Sequence, residues 1–188
     1  ASDVYKRQET VGFLELNSIA KGVEAADAIL KAAQVELSFA KPVCPGKYSI
    51  LFTGEVAAVK ASLDAGMAVG ESHVVDSTVI PRVHPQVIEA INQATDFHGR
   101  GAIGVMEFYS ITAAVYGADA AVKAANVTLL DVRLGMGLGG KSLVVMTGDV
   151  ASVKASVEAG SEEGKNNGLL VSSVVIPCLL YTSPSPRD

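Results

Sequence analysis

The 188-residue chain is short of cysteine, of aromatic side chains and of positive charge. It has two cysteines, Cys44 and Cys178, and aromatics make up only 5% of it. Lysine and arginine number 15 against 20 acids, a net charge of −5. That balance argues against a nucleic-acid partner, which needs a basic stripe. No apolar run approaches the roughly 20 residues that span a bilayer, so no membrane partner is expected. No signal-peptide pattern is visible, and so few thiols read as intracellular, cytoplasmic chemistry. Alanine, valine and glycine are abundant instead, which suits a core of small residues and closely packed helices.

The two ends do not read as folded protein. ASDVYKRQ opens the chain and CLLYTSPSPRD closes it, without periodicity or caps. DVYKRQ can be encoded by GATGTGTATAAGAGACAG. The reverse complement of that string, in another frame, encodes the Cys-Leu-Leu-Tyr-Thr run of 178–182. A sequencing adapter joined in opposite orientations at both ends has this property, so 1–8 and 178–188 are expected to be adapter-derived. Between them stand 12 basic and 18 acidic residues, and Cys44 is the lone thiol, so no intrachain disulfide can form.

The remaining chain is written twice. Residues 12–37 align with 104–129 with 13 of 26 positions identical, and 47–66 align with 141–160 with 11 of 20 identical. Each copy reads β-α-β-β-α-β. TVGFLEL suits a strand, Ser18 or Ser110 caps the next helix, and ADAILKAA has helical periodicity. VELSFAK and VTLLDVR, then YSILFTG and SLVVMTG, read as strands. Glu55 and Asp149 open a second helix where an acid favours the helix dipole. SHVVDSTVI and LLVSSVV return as strands, and HPQVIEAINQ adds a tail helix to the first copy. The expected fold is α+β, ferredoxin-like, with an antiparallel sheet and helices on one face in each of two tandem copies. The first domain is placed at 9–96, a linker at 97–100 and the second domain at 101–177, the latter cut short at its C-terminus.

The order of motifs is specific. G-x-x-E, then A-D-A-x-x-K-A-A-x-V-x-L, then a loop, then T-G-[DE]-V-x-x-V-K-A, then V-I-P-R, resembles the bacterial microcompartment shell domain over both copies. Two fused copies resemble the tandem-domain shell proteins, which assemble as trimers that mimic a hexamer. The C-P-G-K and G-x-G-G-K loops look most like the propanediol-utilisation type, whose members carry an iron–sulfur cluster at the central pore. The resemblance implies a homotrimer, contacts with other microcompartment shell proteins, and a redox protein as partner, encapsulated or cytosolic. It implies that Pro42, Val43, Cys44, Pro45 and Gly46 line the pore together with Gly137, Leu138, Gly139 and Gly140. It also implies that Lys31, Lys123 and Arg82 stand at the edge of the tile.

On this resemblance Cys44 is the metal ligand, one per chain and three per trimer, facing Leu138 of the second copy. Three thiolates on a threefold axis can hold three irons of a [4Fe–4S] cluster, the fourth taking a non-cysteine ligand or solvent. Four cysteines are the usual set. Pro42 and Pro45 stiffen the loop and Gly46 lets the backbone approach closely. The bland reading of a lone cysteine is a small buried hydrophobe, and a metal-free pore passing small molecules or cofactors is the alternative function.

Other residues point elsewhere. His73, His84 and His98 lack ligand spacing and read as surface or capping residues. Glu15 and Glu107 occupy matched positions on apolar strands, which suggests a structural partner repeated in each copy. GLGGK lacks the spacing of a phosphate loop. No nucleophile–base–acid constellation is present, and no enzyme activity is expected.

Overall fold

The computed structural model describes residues 9–92, 101–135 and 137–177. The expected adapter segments, the linker 97–100 and His98 lie outside the described residues. The first copy consists of β1 (Glu9–Leu16), α1 (Ile19–Ala32), β2 (Val35–Val43), β3 (Lys47–Gly54), α2 (Val56–Gly70) and β4 (Val74–Val83), followed by α3 (Pro85–Ile91). The second repeats it with β5 (Ala102–Phe108), α4 (Ile111–Ala124), β6 (Thr128–Leu134), β7 (Ser142–Gly148), α5 (Val150–Asn166) and β8 (Leu170–Ile176). The sheets run β2-β3-β1-β4 and β6-β7-β5-β8, every pair antiparallel. This is the ferredoxin-like order.

Helix starts follow local chemistry. The Ser18 hydroxyl accepts from the Lys21 amide and that of Ser110 from the Ala113 amide, each at 3.3 Å. These satisfy amides that the first helical turn leaves without partners. Asp149 accepts from the amides of Ala151 and Ser152, whereas the matching Glu55 makes no capping hydrogen bond.

Period-two alternation sends Leu14, Leu16, Ile50 and Phe52 toward α1 and α2, where they bury Ile29, Val59 and Leu63. In the second copy Met106, Phe108, Val144 and Met146 do the same with Val153 and Val157. Small residues set the helix spacing. A Cβ on Gly117 would lie 2.8 Å from the Gly160 carbonyl, and one on Gly160 2.6 Å from that of Gly117. The copies also trade volume at one matched pair. Gly22 makes room for the Tyr48 ring, to which a Cβ would approach within 2.4 Å. The second copy has Ala114 and Ser142 there instead.

The copies are joined by more than the chain. β4 and α3 of the first lie against α4 and β6 of the second. Val43, Val83, Val87 and Ile91 share a buried cluster with Ile111, Val115, Leu129 and Val132. Polar contacts fix the register of this junction. The Asp119 carboxylate accepts from the His84 amide at 2.8 Å, and the Thr112 hydroxyl donates to Asp76 at 2.6 Å. The Gln86 side chain accepts from the Leu129 amide at 2.8 Å and donates to the Val127 carbonyl at 3.4 Å, covering the free edge of β6.

Candidate functional site

The residues singled out in the sequence fall on two hairpin loops, one between β2 and β3 and the other between β6 and β7. The junction brings the loops together. The Cys44 amide donates to the Gly135 carbonyl at 3.2 Å. Gly140 packs so closely on the other side that a Cβ there would lie 3.2 Å from the Cys44 carbonyl. The second loop bends through left-handed backbone at Gly135, Gly137, Gly139 and Gly140, with φ between 63° and 87°. Side chains other than glycine rarely adopt it, so the glycines are explained by the turn and need no phosphate. Gly46, with φ of 82°, closes the shorter loop.

Cys44 is free and exposed. It is not the small buried hydrophobe that a lone cysteine usually is. Among the described residues, no group of three or more His, Cys, Asp or Glu within one chain stands together to hold a metal ion.

The matched glutamates find the partners their repetition suggested. Glu15 is buried and bonds Lys47 at 2.5 Å and the Ser49 hydroxyl at 3.3 Å. Glu107 pairs with Lys141 in the same way. Its hydrogen bond holds the Lys141 ammonium above the usual lysine range. Both pairs sit where a strand leaves a hairpin loop, and the lysines are identical in the two copies. Arg133 pairs with Asp131 at 2.9 Å. Its counterpart Lys41 instead lies 4.6 Å from the centre of the Phe39 ring, and burial pushes its ammonium down.

Of the residues expected at an outer edge, the structure brings two together. Lys123 donates to the Arg82 carbonyl at 2.8 Å and pairs with Asp119 at 2.5 Å. Arg82 has φ of 56°, left-handed backbone for a residue with a side chain. Lys31 stands apart, paired with Asp27 on its own exposed helix face. His84 caps α3 through Nδ1 and the Gln86 amide, and His73 Nδ1 lies 2.8 Å from Asn17 Oδ1. Asp119, Asp76, Thr112 and Gln86 were missed in the sequence. A signal existed for Asp119, since the A-D-A motif carries an aspartate in both copies.

The BMC domain family model matches this chain twice, at residues 10–83 and 102–179. The bacterial microcompartment shell protein PduT of Citrobacter freundii is 43% identical over 169 residues, covering 90% of this chain and 92% of that protein. The carboxysome assembly protein CcmO of Synechococcus elongatus is 32% identical over 196 residues, covering 95% of this chain and 70% of that protein. A crystal structure of a microcompartments protein from Desulfitobacterium hafniense superposes with a TM-score of 0.90. It shares 51% sequence identity and covers 92% of this chain and 96% of that one. No helix among the described residues is long and apolar enough to cross a membrane.

Proposed function

Because the chain belongs to the BMC-domain family of bacterial microcompartment shell proteins, we propose that three copies close into one pseudohexameric tile of such a shell. We further propose that the three Cys44 thiolates meet at its centre and hold a [4Fe–4S] cluster that passes electrons across the shell.

The trimer is supported by one contrast between the copies. Ile111 and Val115 on α4 are 5% and 1% exposed, because β4 and α3 of the first copy cover them. Their identical counterparts on α1, Ile19 and Val23, are 46% and 54% exposed. Val174 on β8, the strand that corresponds to β4, is exposed as well. The chain thus uses one junction internally and leaves α1 and β8, the counterparts of α4 and β4, open for a second, unmade one. Such a head-to-tail contact closes into a ring when the rotation permits. Two domains per chain and six places per ring give three chains.

The cluster is supported by the donor at the loop. Thiolate sulfur is the native ligand of iron–sulfur clusters. Cys44 is exposed, and among the described residues no group of three or more His, Cys, Asp or Glu gathers within one chain. A shared site on a threefold axis fits that donor set. When bound, the cluster would supply a one-electron store. The chain's own part is to hold the thiol in place. Pro42 and Pro45 fix the backbone on either side, and the Cys44 amide is tied to the Gly135 carbonyl of the second loop. Glu15 and Glu107 anchor the lysines at the foot of each loop.

A second reading, a metal-free pore for small molecules or cofactors, draws on the other loop. Gly137, Leu138, Gly139 and Gly140 carry no ligand side chain. Anaerobic purification of the wild type and Cys44→Ser, followed by visible absorption and EPR, separates the two. The cluster reading expects a charge-transfer band and a reduced-cluster signal in the wild type and neither in the variant. A colourless wild-type trimer after reconstitution with iron and sulfide would leave the plain pore.

A further inference from the structure

Four cations stand beside the two loops, on the sheet faces turned away from the helix pairs. Lys41 lies opposite Ser49, and Ser49 opposite Glu15. Arg133 lies opposite Leu143, and Leu143 opposite Glu107. Lys47 and Lys141 precede Ser49 and Leu143 by two residues, which returns them to the same faces. Three of the four are neutralised, Lys47 by Glu15, Lys141 by Glu107 and Arg133 by Asp131.

Lys41 is the exception. The position that matches Asp131 holds Phe39, and the Lys41 ammonium rests over that ring. Among the described residues no carboxylate pairs with it, and burial alone perturbs it. The other acid in its row is Asp76, in register with Glu15 on β4 and bonded to Thr112. Three strand spacings separate it from Lys41, about 14 Å, which exceeds the Debye length of about 8 Å at physiological salt. In the proposed tile three uncompensated lysines would ring the pore, while each chain as a whole carries −5.

We propose that the tile face bearing Lys41 is the docking site for a small acidic electron-carrier protein. The proposal rests on the electron-transferring reading of the Cys44 site and names the partner of that site. The net negative charge of the chain repels such a carrier, while the uncompensated Lys41 collar attracts it. The step it serves is simple. With a cluster held by the three Cys44 thiolates, a reduced carrier docked there would give up one electron to it, with no bond made and no proton moved.

The test uses the full-length trimer in metal-free form and an acidic [2Fe–2S] ferredoxin as the probe, with binding measured by calorimetry at 20 and 300 mM sodium chloride. The expected result is binding at low salt that weakens about tenfold or more at high salt, as exposed charge pairs are screened. Lys41→Glu should weaken the low-salt affinity by a further factor of about ten, and Lys154→Glu, the same change of charge placed on α5, by much less. Lys41→Gln keeps an unbranched chain over Phe39 and serves if the glutamate variant does not fold. Equal affinities for the wild type and both Lys41 variants, or no binding at low salt, would overturn the proposal. Because the trimer carries no metal here, an absent cluster fails the Cys44 reading without changing this result.

Discussion

Substituting Val23 by aspartate should separate the chains while leaving each one folded. In the single chain Val23 is more than half exposed, so a carboxylate there meets water and costs the fold almost nothing. At the matched position of the internal junction, Val115 is fully covered. If α1 docks as α4 does, Val23 goes from half-exposed to buried on assembly. Complete burial of such a side chain is worth about 1.5–3 kcal/mol, so the half still open contributes about 1 kcal/mol. An aspartate forfeits that and adds roughly 2–4 kcal/mol for a carboxylate desolvated without a partner. Each junction then weakens by about 3–5 kcal/mol, roughly two to four orders of magnitude in affinity. The proposed ring would have three junctions of this kind. Sedimentation at micromolar concentration should show a trimer for the wild type and a monomer for Val23→Asp, with the melting transition of a folded chain. Val115→Asp is the contrast, since it buries a charge inside the chain and should unfold it. A Val23→Asp protein that stays trimeric would refute the idea that α1 and α4 form the same kind of junction.

Three further outcomes follow from local geometry. Gly22→Ala should destabilise by about 1–3 kcal/mol through the clash with Tyr48, and adding Tyr48→Ser should recover part of that loss, a coupling that a double-mutant cycle in urea reads directly. Glu71 follows α2 with φ of 49°, so Glu71→Gly should stabilise by about 0.5–1 kcal/mol in the same assay. Hydrogen bonds from Ser152 hold the Asp149 carboxyl below its ordinary value. A depressed carboxyl stabilises fully above its unfolded value, near pH 4, and loses that contribution as pH falls through the lower folded value. Acid titration of stability should therefore lose a component below about pH 4 in Asp149→Ala, and an unchanged acid limb would contradict the cap.

Local chemistry was legible in the sequence where neighbours along the chain decide it. Ser18, Ser110 and Asp149 cap their helices because a hydroxyl or carboxylate placed before an apolar run has free amides within reach. The doubling of Glu15 as Glu107 pointed to a structural partner, and the structure supplies Lys47 and Lys141. What was hidden depends on long-range contact. Asp27 and Asp119 sit in the same motif, yet only Asp119 meets a backbone amide, because only α4 is covered by the other copy. Register was hidden too. A bulge between Leu37 and Phe39 breaks the alternation of β2. Leu37 and Ala40 pack toward the first helix pair, and Phe39 and Val43 join the cluster shared with the second copy. That slip places Lys41 on the face away from the helices, which strict alternation from Val35 would not. Arg82 likewise has left-handed backbone, and its carbonyl accepts from Lys123 of the second copy.

Native mass spectrometry of the anaerobically purified protein tests the whole account in one spectrum. The predicted species is three chains plus the mass of a single [4Fe–4S] cluster, with the cluster mass absent from Cys44→Ser and the three-chain species retained. A monomer would contradict the tile, and a trimer that binds no metal under reconstitution would contradict the thiolate-held cluster at its centre.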